Sequence, residues 1–127
     1  MRRLLWAALL LAGCHAKEEA RAVVSAVDAY RAASNDDKPA KADALDKVPC
    51  TDEQVCAAKA VCTKSADATA KGLRLQQEIQ AIVKKGGGDR TEMENKWKDA
   101  SSDLAMGYGL LEECRTKTQA LREHYGI

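Results

Sequence analysis

The stretch IQAIVKKGGGDRTEMENKW, residues 79–97, decides the fold. Lys84 and Lys85 suit the negative end of a helix dipole, and Gly86 suits a left-handed cap. Gly86-Gly87-Gly88 reads as a turn, and Asp89 through Glu92 as the N-terminal signature of a second helix. A short turn between two helices makes them antiparallel neighbours.

Working outward, the helical pattern runs back from Lys85 to Thr51-Asp52-Glu53-Gln54. This matches a capping box with Thr51 as N-cap and Gln54 at the third helical position. Forward, a segment rich in Glu, Lys and Leu stays helical to about Tyr125. Each helix would be about 50 Å long. Antiparallel partners have residue numbers with a constant sum, which Val83 opposite Met93 fixes. Steps of three and four then pair Ile79 with Trp97, Gln76 with Ala100, Gly72 with Leu104 and Thr69 with Gly107. Further along come Ser65 with Leu111, Cys62 with Cys114, Ala58 with Thr118 and Val55 with Leu121. Large residues often face small ones, as interlocking cores require. The register set by apolar residues also brings two cysteines level.

The chain opens MRRLLWAALLLAGCHA, residues 1–16. Arg2 and Arg3 precede an apolar run from Leu4 to Ala12, too short to span a bilayer, which needs about 20 apolar residues. The pattern reads as a secretory signal. Leu11-Ala12-Gly13-Cys14 resembles the lipobox of bacterial lipoproteins. That resemblance implies cleavage of residues 1–13 and acylation of Cys14, which then leads a single mature domain, residues 14–127. Burial of acyl chains contributes about 0.8 kcal/mol per methylene, so several chains anchor durably. By the same resemblance, Asp after the cysteine marks inner-membrane retention. His15 stands there instead, which implies lipid anchoring at the outer membrane, on its periplasmic face or at the cell surface.

Removing the leader takes Arg2 and Arg3 from the 20 basic residues and leaves 18 against 19 acidic ones, a net charge of −1. Balanced charge gives no electrostatic case for nucleic acid. After Cys14 four cysteines remain, Cys50, Cys56, Cys62 and Cys114, and an even number in an exported chain reads as two disulfides. Cys56 and Cys62 lie about 9 Å apart along one helix and point to different sides, and Cys50 to Cys62 spans about 18 Å. The pairing left is Cys62–Cys114 with Cys50–Cys56.

Residues 16–34 carry Ala16, Ala20, Val23, Val27 and Tyr30 on one helical face, with Lys17, Glu18, Glu19, Arg21, Asp28 and Arg31 on the other sides. Residues 34–39 break the pattern, and 39–47 form a short helix presenting Ala42 and Leu45. Val48-Pro49-Cys50 interrupts it. The N-terminal helix is expected to pack on a hairpin face lined by Val61, Ala68, Leu75 and Ile82. The expected fold is all-α: an antiparallel hairpin plus an N-terminal helix in a three-helix bundle, with a short extra helix and disulfide staples.

Candidate sites are few. His15 and His124 read as solvated side chains, and neither they nor the cysteine spacing match a metal site. No cofactor is implied. Glu18-Glu19, Asp36-Asp37 and Glu112-Glu113 are sequence neighbours that point apart on a helix, so they read as solvated faces rather than acid/base pairs. The glycine run lacks the Lys and Ser/Thr of a phosphate-binding loop. In Gly107-Tyr108-Gly109 the glycines read as close helix contact, with Gly107 opposite Thr69; Trp97 reads as core. No catalytic constellation is present. The expected function is therefore non-enzymatic: a membrane-anchored envelope lipoprotein acting as a structural or interaction module for an envelope protein partner. The alternative is a carrier of a small ligand or metal, using space near Gly72, Gly107 and Tyr108.

Overall fold

The glycine run closes α3 as a Schellman motif in the computed structural model, which describes the backbone of residues 2–127 and the side chains of residues 13–127. The leader expected at residues 1–13 lies, up to Ala12, outside the described side chains. Four helices and no strand occur among the described residues: α1 (Arg2–Ala32), α2 (Lys38–Asp46), α3 (Glu53–Lys84) and α4 (Arg90–Tyr125). At the turn Gly87 N–H donates to Ile82 O and Gly86 N–H to Val83 O, with φ of 101° and 99° at the two glycines. Asp89 then caps α4 by accepting from Thr91 N and Glu92 N.

The hairpin register is the expected one. Cys62 and Cys114 are bonded, with Cα atoms 4.8 Å apart. Gly72 lies against Leu104 and the carbonyl of Ala100, and Gly107 lies against Thr69 and the carbonyl of Ser65. Ser65 Oγ donates to Gly107 O at 2.7 Å across the interface. Val55, Ala58, Thr118 and Leu121 are all buried at the open end.

The N-cap of α3 is Asp52 rather than Thr51. Its carboxylate accepts from Val55 N at 3.0 Å, and the expected box with Gln54 does not form. Thr51 instead turns its hydroxyl toward α1, where Glu19 accepts it.

α1 runs parallel to α3 beside the hairpin. Glu19 sits by Thr51, and Tyr30 shares a hollow with Ser65, Thr69 and Gly107. Lys38 closes the end of α1 by donating to the carbonyls of Tyr30 and Ala33 at 3.1 and 3.0 Å. α2 then returns antiparallel to α3: Asp36 accepts from Gln77, Asp43 faces Arg74, and Asp46 shares a groove with Cys56. Ala42 and Leu45 are buried, as their spacing requires.

The core joins Ala20, Val23, Val24, Val27 and Tyr30 of α1 to Ala42 and Leu45 of α2 and to the open half of the hairpin. The expected seat of α1 is corrected in part. Val61 borders this core, but Ala68 lines a groove on α3, and Leu75 and Ile82 lie outside the core cluster. The cause is length. α1 ends at Ala32 and α2 begins level with Gln77, so no helix covers the hairpin from there to its tip. Between Leu73 and Ala100 no residue is buried. Trp97, expected in the core, is consequently 55% exposed, and Val83 is 59% exposed.

Candidate functional site

The end of the bundle where Cys14 and the start of α3 lie carries the residues with the most defined chemistry. Cys14 is exposed and unbonded. The other four cysteines form Cys50–Cys56 and Cys62–Cys114, the two pairs expected from helix geometry. Gly13, Cys14 and His15 are exposed, and among the described side chains of α1 the first buried ones are Glu19 and Ala20. Along a helix those five residues from Cys14 to Glu19 amount to about 8 Å.

Glu19 is the residue at this end whose placement departs most from its sequence-based expectation. The sequence pattern sets it among solvated carboxylates, yet its side chain is buried. Its Oε2 accepts from Thr51 N at 2.8 Å and Asp52 N at 3.0 Å, while Oε1 accepts from Thr51 Oγ1 at 2.7 Å. His15 Nε2 lies 3.0 Å from Oε1, so His15 is exposed but engaged. The Thr51 and Asp52 N–H groups, the Thr51 hydroxyl and His15 hold the Glu19 carboxyl at about 2, against the opposing effect of burial. In a capping box the third residue of a helix accepts the N-cap N–H. Here Val55 occupies that position and cannot, so Glu19 of another helix supplies the carboxylate. The signal was available: Glu19 is three residues after Ala16 and four before Val23, inside the apolar stripe.

Several hollows lie around the bundle among the described residues. The first, about 670 Å³, runs along α3 between Asp46 and Cys50 on one side and Asp103 and Met106 of α4 on the other. The second, about 620 Å³, lies between α1 and α4 and contains Arg31, Arg115 and Arg122. Arg122 is engaged there by Asp28, whose two carboxylate oxygens it reaches at 2.7 and 2.8 Å. The third, about 180 Å³, holds Tyr30, Lys38, Gly107 and Tyr108. It is the space beside Gly107 and Tyr108, but Gly72 is not part of it. At Gly72 and Gly107 the helices touch, so the glycines serve close approach. Tyr108 is 63% exposed on an unbroken helix.

His124 stacks edge-on with Tyr125 at 4.6 Å, far along the chain from His15. Among the described residues no group of three or more His, Cys, Asp or Glu side chains converges as a metal site would require. No helix of the described residues is long and apolar enough to cross a membrane. Comparison with protein-family models, with curated proteins and with solved structures gives no match.

Proposed function

We propose that this chain is an exported bacterial lipoprotein, cut before Cys14 and acylated on it, whose helical bundle is a non-enzymatic interaction module at the envelope. The sequence Leu11-Ala12-Gly13-Cys14 behind a basic start and a short apolar run carries the reading. The exposure of Cys14, outside both disulfides, supports it. So does its position about 8 Å along α1 from the first buried residue, which leaves the sulfur clear of the bundle. His15 after the cysteine favours the outer membrane over the inner one.

In this arrangement the bundle stands close to the bilayer. α3 and α4 carry the glycine turn away from it by the length of a 32-residue helix, about 48 Å. The uncovered tip, with Val83 and Trp97 exposed, is the surface offered to an envelope protein.

Intact-mass spectrometry of the protein from its own host tests the anchor. The expected mass lacks residues 1–13 and carries added acyl chains, and Cys14→Ser retains the leader. An unlipidated chain with the leader attached overturns the reading. A photo-crosslinker in place of Trp97, activated in native membranes, tests the module. A discrete heteromeric adduct is expected, and recovery of monomer alone refutes it.

A further inference from the structure

The two disulfides stand in opposite surroundings. Cys62 and Cys114 are 2% and 3% exposed, sealed between α3 and α4. Cys50 and Cys56 are partly exposed, and both line the open groove of about 670 Å³ on α3. Thiol–disulfide exchange needs a thiolate to reach a sulfur atom, so access separates the two pairs. Charge acts in the same direction. Lys59 lies one turn after Cys56 on the same face of α3, and Cys56 itself follows the first three helical residues, at the positive end of the helix dipole. Both favour the thiolates through which exchange passes, and Asp46 on the α2 wall offsets them only in part.

The Cys50–Cys56 clasp holds more than its own loop. Val48-Pro49-Cys50 leads from α2 directly into Thr51 and Asp52, whose N–H groups donate to Glu19 of α1 at 2.8 and 3.0 Å. Pro49 has no N–H and adds no backbone hydrogen bond to this stretch. The disulfide is the covalent tie that seats the connection on the start of α3, with Cα atoms 5.4 Å apart. Cys50 also packs with Val48 against the edge of the core. Opening the clasp frees this connection, while Cys62–Cys114 keeps the hairpin in register.

We infer that Cys50–Cys56 is a redox switch: a dithiol reductant opens it selectively, and its opening loosens Thr51 and Asp52 from Glu19, hence the Cys14 end of α1 from the hairpin. Cys50 packs against the core, so Cys56 Sγ is the sulfur open to attack. A thiolate of the reductant bonds to Cys56 Sγ. The Cys50–Cys56 bond breaks, and its electron pair departs on Cys50 Sγ, which takes up a proton. The second thiolate of the reductant attacks the reductant's own sulfur in the mixed disulfide and releases Cys56, which is protonated in turn. The protein gains two electrons and two protons, and the dithiol becomes a disulfide. This switch does not depend on acylation of Cys14 or on what the hairpin tip binds.

Dithiothreitol tests it. The reagent is titrated, without denaturant, into the protein purified from its own host, and free thiols are trapped with iodoacetamide and located by peptide mass. Cys50 and Cys56 are expected to be labelled about 100 times faster than Cys62 and Cys114. Amide hydrogen exchange at Thr51 and Asp52 should speed up about tenfold in the reduced protein and return to its first rate on reoxidation, while amides of α4 beside Cys114 keep theirs. Cys50→Ser combined with Cys56→Ser should match the reduced state with no reductant present, and the reduced wild type carries the test if that variant fails to fold. Acid-quenched alkylation inside the host tests use of the switch: Cys50 and Cys56 are expected partly as thiols, with Cys62 and Cys114 wholly bonded. Equal labelling of the two pairs, or Thr51 and Asp52 exchange unchanged by reduction, overturns the proposal. A Cys50–Cys56 bond found wholly oxidised in the host does so too.

Discussion

Glu19 of α1 and Thr51 ahead of α3 lie 32 positions apart and are joined twice, through the Thr51 N–H at 2.8 Å and its hydroxyl at 2.7 Å. This pair fixes the helix that carries Cys14 to the start of the hairpin. Hydrogen bonds to a charged group contribute about 1.5–3 kcal/mol. Glu19→Gln keeps the shape and removes the charge, so a loss of about 2 kcal/mol is expected at neutral pH. The folded chain holds the Glu19 carboxyl at about 2 against an ordinary 4.5. As pH falls, the unfolded chain takes up the proton first. The contribution is therefore complete above 4.5 and disappears as pH approaches 2. Urea unfolding across this range should show a smaller pH dependence in Glu19→Gln than in the wild type. Parallel curves would refute the role given to Glu19.

The two glycines that flank Tyr108 should respond to alanine in opposite senses. A Cβ at Gly107 would run into Thr69, including its backbone nitrogen at 2.9 Å, and the Ser65 carbonyl at 3.0 Å, whereas a Cβ at Gly109 meets nothing within 4 Å. Overpacking costs about 1–3 kcal/mol, and exchanging glycine for alanine in an open helix gains up to about 1 kcal/mol. Gly107→Ala should lower the melting temperature, and Gly109→Ala should raise it. Equal effects would mean that the helices do not touch at Gly107.

The disulfides differ in the loops they close. Cys62–Cys114 spans 52 positions and Cys50–Cys56 spans 6. Chain entropy assigns about 4 kcal/mol to the first and about 2 kcal/mol to the second. Paired serine substitutions, compared by denaturant midpoint, should destabilise in that order. The opposite order would overturn the assignment.

Burial separates two large residues of α4. Leu121 is fully buried and Trp97 is 55% exposed. Leu121→Ala should cost about 2–5 kcal/mol. Trp97→Ala should stay within about 0.5 kcal/mol, as substitutions on open surface do. A loss at Trp97 comparable to that at Leu121 would show the hairpin tip to be covered.

Much of the fold was legible in the sequence because its causes are local. Three glycines after two lysines stop a helix wherever they occur, and Asp89 starts the next one by capping its own neighbours. The hairpin register followed because a short turn leaves antiparallel helices one way to align their apolar faces. That register brought Cys62 level with Cys114. The local clasp of Cys50 on Cys56 then followed by elimination.

The sequence by itself therefore determined the helices, the turn, the hairpin register and the disulfide pairing, since each depends on periodicity, caps or reach along one chain segment. Only the tertiary structure decided how far α1 and α2 extend over the hairpin, which leaves Trp97 in solvent. It also decided that Glu19 faces the start of α3. These outcomes depend on where separate helices come to rest against each other, and helical period constrains a residue's face but not what another element places opposite it.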